Sequence, residues 1–267
     1  MAQTKPPYQL QDALDSVEQI ISKKGNRQFL FFFDFDGTLV PIGPEPDKVR
    51  LDDSLRNQIQ SLSQSGQVAV VSGRDRHDIE EKVKLDNIYY AGSHGFDIAG
   101  PNKASHLHPK ADVLLPKIKN IAQWFREALS DHKGVWVEQK KFAVALHHRK
   151  AEAATVNDVE AIVKEKIDAE DGLKWDKGKS IIEIKPSVNW HKGKAVLWIM
   201  EHLNLNFDRC LPIYLGDDTT DEDAFQAIQG EGFGILVEDN GDPTYADFLL
   251  KRQKDVSLFI NKLSQVH

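Results

Sequence analysis

Two kinds of hydrophobic pattern alternate over the first hundred residues of the chain. Short apolar runs predict buried strands over 29–34, 68–71 and 88–91, and apolar residues at helical spacing predict helices over 10–22 and 52–64. Prolines at 41, 44 and 46 predict an irregular loop after the first of these strands. Strands that alternate with helices are typical of a parallel sheet whose strands are joined by crossover helices.

The same alternation returns after Pro186. There the pattern predicts a helix over 193–203, a strand over 212–215, a helix from residue 222 and a strand over 234–237. Asp242 followed by Pro243 is typical of a helix start, and a last helix is predicted from residue 256. The two parts together predict an α/β core domain, a Rossmann-like, doubly wound parallel sheet formed by residues 1–106 and 188–267. Residues 1–27 would be an N-terminal helical extension of it.

Residues 107–187 follow a different order. A long amphipathic helix over 111–130 precedes two strands over 135–138 and 142–148. A second helix over 154–168 then precedes strands near 173–175 and 181–184. We therefore expect a smaller α+β domain with an open-faced sheet, inserted into the first domain.

Composition and charge narrow the class of protein. The chain has 267 residues, 40% of them hydrophobic and 28% charged, and its net charge is −7. It has no apolar run long enough to cross a membrane, no apolar leader segment, no long basic block and a single cysteine. We therefore expect a cytoplasmic globular protein that binds neither nucleic acid nor a membrane.

Acidic residues follow two of the predicted buried strands. Asp34 and Asp36 come after the phenylalanine-rich run at 29–33, and Asp217, Asp218 and Asp221 follow the strand over 212–215. Because the carboxyl ends of parallel strands meet at one edge of a sheet, these carboxylates are expected to converge. Their mutual repulsion would be relieved by a divalent cation, and carboxylate and carbonyl oxygens suit Mg²⁺.

A cation held in this way predicts phosphate chemistry. A carboxylate beside the metal can attack phosphorus and form an aspartyl-phosphate. The oxygens of the transferred phosphoryl group then need hydrogen-bond donors. Suitable donors are the hydroxyl and backbone N–H of Ser72, the backbone amides of Gly37 and Thr38, and the ammonium group of Lys192.

Four segments together resemble the ordered motifs of the haloacid dehalogenase superfamily of phosphatases. They are Asp34-Phe35-Asp36-Gly37-Thr38-Leu39, Val70-Val71-Ser72-Gly73-Arg74, Lys192-Gly193 and Gly216-Asp217-Asp218-Thr219-Thr220-Asp221. Within that superfamily the chain is most similar to the trehalose-6-phosphate phosphatase family, over roughly residues 28–260. The similarity lies in Ser72-Gly73-Arg74, Ala91-Gly92-Ser93-His94-Gly95, Glu138-Gln139-Lys140, Leu146-His147-His148-Arg149 and Glu183-Ile184-Lys185-Pro186.

The resemblance implies a role for each matching residue. Asp34 would be the nucleophile and a metal ligand, and Asp36 would be the general acid/base and give the metal its backbone carbonyl. Asp217 would ligate Mg²⁺, Asp221 would support the metal or Lys192, and Ser72 and Lys192 would hold the phosphoryl group. The inserted domain would be a cap for substrate recognition. The implied substrate-binding residues are Gly37, Thr38, Gly73, Arg74, Glu138, Lys140, Arg149, Glu183 and Lys185.

Polar residues two positions apart recur on the predicted strands of the inserted domain. Side chains alternate between the two faces of a strand, so the members of each pair can share one face of the sheet. Such a face predicts a hydrogen-bonding surface for sugar hydroxyls. The pairs are Glu138 with Lys140, His147 with Arg149, and Glu183 with Lys185.

The expected activity is Mg²⁺-dependent hydrolysis of a small-molecule sugar phosphate, with trehalose 6-phosphate as the first candidate. Two departures from the family pattern, His148 and the segment Asn189-Trp190-His191 before the lysine, leave other glycosyl phosphates open. Glucosylglycerol phosphate and sucrose 6-phosphate are examples. A sugar phosphomutase is a further alternative, and so is a silent sugar-phosphate sensor. A sensor would be expected to have lost one of the acidic residues or the lysine, and all are present.

Overall fold

The computed structural model describes residues 4–43, 48–178, 180–239 and 241–265. Residues 44–47, part of the predicted loop, lie outside this description. The described chain divides into two compact units. Residues 107–189 form the smaller unit, and the residues before and after them form the larger one.

Strands and helices alternate along most of the larger unit. The strands of the chain are β1 (Gln11–Asp12), β2 (Gln28–Phe33), β3 (Gln67–Val71), β4 (Tyr89–Gly92), β5 (Asp97–Ala99), β6 (Ser105–Leu107), β7 (Trp136–Gln139), β8 (Val144–His147), β9 (Leu173–Gly178), β10 (Ile181–Pro186), β11 (Cys210–Gly216), β12 (Phe233–Val237) and β13 (Phe248–Leu250). The helices are α1 (Val17–Lys24), α2 (Asp53–Ser65), α3 (Arg76–Val83), α4 (Pro109–Asp112), α5 (Leu115–Ala128), α6 (Ala153–Asp168), α7 (Lys192–His202), α8 (Glu222–Ile228) and α9 (Asp255–Gln265).

The described residues of the larger unit are organised around a nine-stranded sheet with the order β1-β13-β12-β11-β2-β3-β4-β5-β6. Along this order, every two neighbouring strands from β1 as far as β4 are parallel, and β5 runs antiparallel to β4. Because β11, β2 and β3 are parallel neighbours, the loops that follow them leave the same edge of the sheet.

Both faces of the central strand β2 are buried. Phe29, Phe31 and Phe33 lie in one hydrophobic core, with residues of α1, α2, α3 and α9. Leu30 and Phe32, on the opposite face, lie in a second core with residues of α7 and α8. A strand covered by helices on both faces needs a continuous apolar run, which explains the composition of β2.

The structure confirms the α/β, doubly wound fold class, but two local predictions for the larger unit are wrong. In place of one helix over 10–22, the chain forms edge strand β1 and then α1. The carboxylate of Asp12 accepts the N–H two residues further on (2.9 Å) and closes a turn there. No helix begins at Asp242 and Pro243, because Thr244 is extended and exchanges two backbone hydrogen bonds of 2.8 Å with Lys5.

The smaller unit has a four-stranded sheet in the order β7-β8-β10-β9, with antiparallel neighbours. One face packs on α5 and α6 through a core that includes Ile121, Phe125, Val163, Leu146 and Ile182. The predicted order of helix, two strands, helix and two strands is confirmed. The predicted helix over 111–130 is divided into α4 and α5, and Pro116, which lacks an N–H, stands in the first turn of α5.

The helices of both units are short. Within the described residues, none is long and apolar enough to cross a membrane.

Helix α2 begins with a side-chain cap. The carboxylate of Asp52 accepts the backbone N–H groups of Ser54 (2.9 Å) and Leu55 (3.4 Å). We predict that Asp52→Ala lowers the free energy of unfolding by about 1 kcal/mol, because these N–H groups lose their acceptor. Thermal unfolding followed by circular dichroism measures the change. Asp52→Asn keeps an acceptor oxygen and should stay within a few tenths of a kcal/mol, so equal losses in both variants would contradict the capping role.

Candidate active site

Asp34 lies directly after β2, at the edge of the sheet where the neighbouring loops meet. Its backbone N–H donates to the carbonyl of Leu215 (2.9 Å), so the ladder between β2 and β11 holds the residue in place. The side chain is almost wholly buried, with 4% of the residue exposed. A buried carboxylate needs hydrogen bonds or a positive charge to offset its lost hydration.

Lys192 supplies one positive charge. It is the first residue of α7, and its Nζ lies 2.7 Å from Asp34 Oδ1 and 2.7 Å from Asp221 Oδ1. Burial by itself would lower the pKa of Lys192, but the charges of Asp221 and Asp34 outweigh that effect and raise it. The ammonium group therefore stays charged between the two carboxylates.

Asp221 holds the loop after β11 in shape. Its Oδ1 also accepts the hydroxyl of Tyr214 (2.6 Å), and its Oδ2 accepts the backbone N–H groups of Asp217 (3.2 Å) and Asp218 (3.1 Å). A Cβ on Gly216 would lie 2.3 Å from the Asp221 Cγ, so this close approach requires glycine. Both oxygens of Asp221 are thus engaged within the protein.

Asp34, Asp217 and Asp221 form a group suited to a metal ion. Each offers one carboxylate oxygen, and these oxygens lie within 4.8 Å of one another. Because both Asp221 oxygens already accept hydrogen bonds, Asp34 and Asp217 fit direct coordination and Asp221 fits a supporting position. Clustered carboxylate oxygens suit a hard divalent cation such as Mg²⁺.

The electrostatics of this cluster point the same way. Three carboxylates face one ammonium group, which leaves an excess of negative charge in a buried place. Burial raises the pKa of Asp34 well above its ordinary value; Lys192 opposes the shift and the charge of Asp221 adds to it. Burial and the charge of Asp221 also raise the pKa of Asp217 to about 7. Carboxyl groups driven toward protonation indicate a need for further positive charge.

The loop after β2 lies against Asp217. Gly37 has a φ of +86°, and a Cβ there would lie 2.0 Å from Asp217 Oδ2. The hydroxyl of Thr38 donates to Asp217 Oδ1 (3.3 Å). The backbone N–H of Gly37, expected to bind phosphate, instead donates to the carbonyl of Val40 (2.7 Å), because the tight turn closes on itself.

Ser72 lies directly after β3, on the other side of Asp34. Its backbone N–H, also expected to bind phosphate, continues the ladder to β4 and donates to Ala91 O (2.9 Å). The hydroxyl accepts the backbone N–H of Arg74 (3.2 Å), and this leaves its proton to donate. Gly73 completes the turn, in which a Cβ would lie 2.9 Å from His94 Cε1.

Arg74 forms a two-pronged ion pair with Asp36. Its Nε lies 2.5 Å from Asp36 Oδ2 and its Nη2 lies 2.7 Å from Asp36 Oδ1. Its Nη1 lies 2.9 Å from Asp78 Oδ2. Burial would lower the pKa of Arg74, but Asp36 and Asp78 raise it. Arg74 therefore orients the Asp36 carboxylate, and its contact with substrate stays a prediction.

Two residues outside the predicted set support this site. Tyr214 is fully buried in β11, and a phenol in an otherwise apolar strand is a signal of a polar partner, here Asp221. The side-chain amide of Gln253 donates to the carbonyl of Thr38 (2.9 Å). Nothing in the local pattern around Gln253 indicates this contact, which joins positions 215 residues apart.

The second group of predicted residues lies on the smaller unit. Glu138 and Glu183 both face Ala145 of the central strand β8, so they share one face of the sheet, the face opposite the helices. Lys140 Nζ lies 3.1 Å from Glu183 Oε1, and Lys185 Nζ lies 3.0 Å from Asp176 Oδ2. We call this surface the polar face.

One of the three predicted pairs, His147 with Arg149, does not share a strand face. His147 is on the polar face, with Nε2 2.8 Å from Glu138 Oε2. Strand β8 ends at His147, so Arg149 lies in the following turn, exposed to solvent, and does not share the strand face.

Comparisons with known proteins show which family has similar sequences. A family model described as trehalose-phosphatase matches residues 32–253. The chain is 38% identical over 237 residues to a trehalose-phosphate phosphatase of Mycobacterium marinum, with 87% of this chain and 60% of that protein covered. It is 35% identical over 262 residues to a probable trehalose-phosphate phosphatase D of Arabidopsis thaliana, with 94% and 71% covered.

A solved structure supports the same assignment. The crystal structure of a trehalose-6-phosphate phosphatase related protein superposes with a TM-score of 0.76 at 27% identity, covering 89% of this chain and 97% of that one. The chain spans only 60% of the length of the M. marinum relative. The family model nevertheless matches more than half of the chain and confirms the resemblance seen in the motifs. The chain belongs to the trehalose-phosphatase family.

Proposed function

We propose that the chain hydrolyses the phosphate monoester of trehalose 6-phosphate to trehalose and phosphate, with Mg²⁺ as its cofactor. The observation that carries the proposal is the buried Asp34, held by Lys192 (2.7 Å) and grouped with an oxygen of Asp217 within 4.8 Å. Family membership points to the substrate. The site points to the chemistry.

Asp34 acts as the nucleophile. One of its carboxylate oxygens attacks phosphorus, the bond from phosphorus to the sugar oxygen breaks, and an aspartyl-phosphate forms. Asp36 gives its proton to the departing sugar oxygen and then takes a proton from the water that attacks the aspartyl-phosphate. This second displacement releases phosphate and restores Asp34.

Charge and orientation come from the residues around Asp34. A bound Mg²⁺ would neutralise the phosphoryl oxygens and the carboxylates of Asp34 and Asp217. The hydroxyl of Ser72 and the ammonium group of Lys192 would donate to the phosphoryl oxygens. In this structure Arg74 donates to both oxygens of the Asp36 carboxylate, so Asp36 must leave this ion pair before it can carry the proton that it gives to the sugar oxygen.

The sugar part of the substrate would bind the polar face of the smaller unit. Glu138, Lys140 and Glu183 present carboxylate and ammonium groups on one face of the sheet, and such groups accept from and donate to hydroxyls. The bond of Lys140 to Glu183 and that of His147 to Glu138 hold these side chains in place. This assignment predicts that the chain prefers a sugar ester to a simple phosphate ester.

We predict that the purified protein releases inorganic phosphate from trehalose 6-phosphate when Mg²⁺ is present. EDTA should abolish the release and added Mg²⁺ should restore it, because the carboxylate cluster needs a cation. A panel that includes sucrose 6-phosphate and glucosylglycerol phosphate, compared by kcat/KM, tests the substrate. A higher kcat/KM for another ester would overturn the trehalose assignment, and isomerised sugar phosphate without free phosphate would indicate a phosphomutase.

Asp34→Asn tests the chemical step. The amide keeps the size of the side chain but is a poor nucleophile, so kcat should fall on the order of a thousandfold or more. The matched control is Asp53→Asn on the exposed surface of α2, which should keep full activity. Activity of Asp34→Asn close to that of the unaltered protein would defeat the mechanism.

Gln253 tests the supporting contacts of the metal site. Its side-chain amide donates to the carbonyl of Thr38, and the hydroxyl of Thr38 donates to Asp217 Oδ1. We predict that Gln253→Ala raises the Mg²⁺ concentration for half-maximal activity by about tenfold, because hydrogen bonds behind a metal ligand contribute to affinity. Gln58→Ala removes a bond to Ser257 on the helices α2 and α9 and serves as the control. Equal Mg²⁺ dependence in both variants would refute the role of Gln253.

A further inference from the structure

We propose that Trp136 and His147 form an aromatic platform that binds the apolar face of a pyranose ring of the substrate. The proposal rests on the proposed function and extends it, because it assigns the sugar-binding surface a stacking residue besides its charged groups. Trp136 lies outside the segments that resemble the family motifs.

The two rings form a tight parallel stack. Trp136 on β7 and His147 on β8 are cross-strand partners in the register of the sheet. Their ring centroids lie 3.8 Å apart and their planes differ by 7°. Stacked aromatic side chains at facing positions of adjacent strands stabilise each other.

The platform is fixed before a ligand arrives. His147 Nε2 lies 2.8 Å from Glu138 Oε2, so the imidazole ring cannot rotate without losing this bond. The indole ring rests on that imidazole. A surface whose side chains are already ordered loses less conformational entropy when it binds a ligand.

Trp136 is exposed in a way that its packing does not require. The residue keeps 56% of its surface exposed, although indole is one of the largest apolar groups in proteins. Strand β7 is an edge of the four-stranded sheet, so within the described residues Trp136 has a neighbouring strand on one side alone. By contrast, Trp124 of the same unit packs edge-on against Phe125 and lies beneath the Lys166 ammonium group.

The surroundings favour a neutral, hydroxyl-rich ligand. Among the described residues, carboxylates and lysines are balanced on this side of the sheet, three of each, so the polar face attracts neither an anion nor a cation strongly. A pyranose ring carries C–H groups on its faces and hydroxyls on its rim, which matches a flat aromatic surface beside charged hydrogen-bonding groups. The charged residues are Glu138, Asp176 and Glu183 with Lys140, Lys174 and Lys185.

The test compares a sugar ester with a phosphate ester that has no ring. Trp136→Ala should raise KM for trehalose 6-phosphate, and lower kcat/KM, by about tenfold, which corresponds to about 1.4 kcal/mol. For glycerol 3-phosphate, kcat/KM should change less than about twofold. Trp136→Phe keeps a flat ring and should recover most of the loss. Trp124→Ala is the matched control and should behave as the unaltered protein with both esters.

A second measurement does not depend on turnover. Titration of the unaltered protein with trehalose should change its tryptophan fluorescence, and Trp136→Phe should lose most of that change. Circular dichroism and the Tm of each variant establish that it folds.

The outcomes separate this inference from the proposed function. If the unaltered protein fails to hydrolyse trehalose 6-phosphate but hydrolyses another sugar ester, the proposed substrate fails. The kcat/KM values of the variants are then compared between that sugar ester and glycerol 3-phosphate. If Trp136→Ala lowers kcat/KM equally for the sugar ester and for glycerol 3-phosphate, the residue is structural and the platform is refuted. Unchanged KM in Trp136→Ala, or a trehalose response that persists in Trp136→Phe, likewise refutes it.

Discussion

Three carboxylates and one ammonium group share the buried edge of the larger sheet, and much of the site's geometry follows from their balance. Lys192 binds Asp34 and Asp221 at 2.7 Å each, and Asp217 adds a further negative charge beside them. In a place with little access to water such an excess is costly. A divalent cation offsets it, and the same cation is what a phosphate ester needs in order to approach a carboxylate nucleophile.

The fold makes this arrangement possible because the strand that carries Asp34 is anchored on both faces. Alternate residues of β2 lie in two separate cores, and its neighbours β11 and β3 are parallel to it. Three loops therefore leave one edge of the sheet, and each delivers part of the site. Glycine at 37 and 216 lets these loops approach carboxylates more closely than any other residue would allow.

Much of the fold and the identity of the acidic cluster could be predicted from the sequence, because buried strands and helices leave strong periodic patterns. Contacts set by tertiary structure could not. The expected phosphate-binding amides of Gly37 and Ser72 are used by a turn and by the sheet ladder, which the chain order does not reveal. The contact of Gln253 with Thr38 joins distant segments, and the turn at Asp12 overrides a helical pattern. The roles of the residues on the polar face remain predictions.

The most direct test of the central claim is a calorimetric titration of the metal-free protein with Mg²⁺, run beside the isosteric Asp217→Asn variant. We expect one ion per chain, with a measurable heat and a rise in Tm for the unaltered protein, and weak or absent binding for the variant. Absence of heat and of any rise in Tm in the unaltered protein would contradict a metal site at this cluster. Equal binding by Asp217→Asn would do so as well.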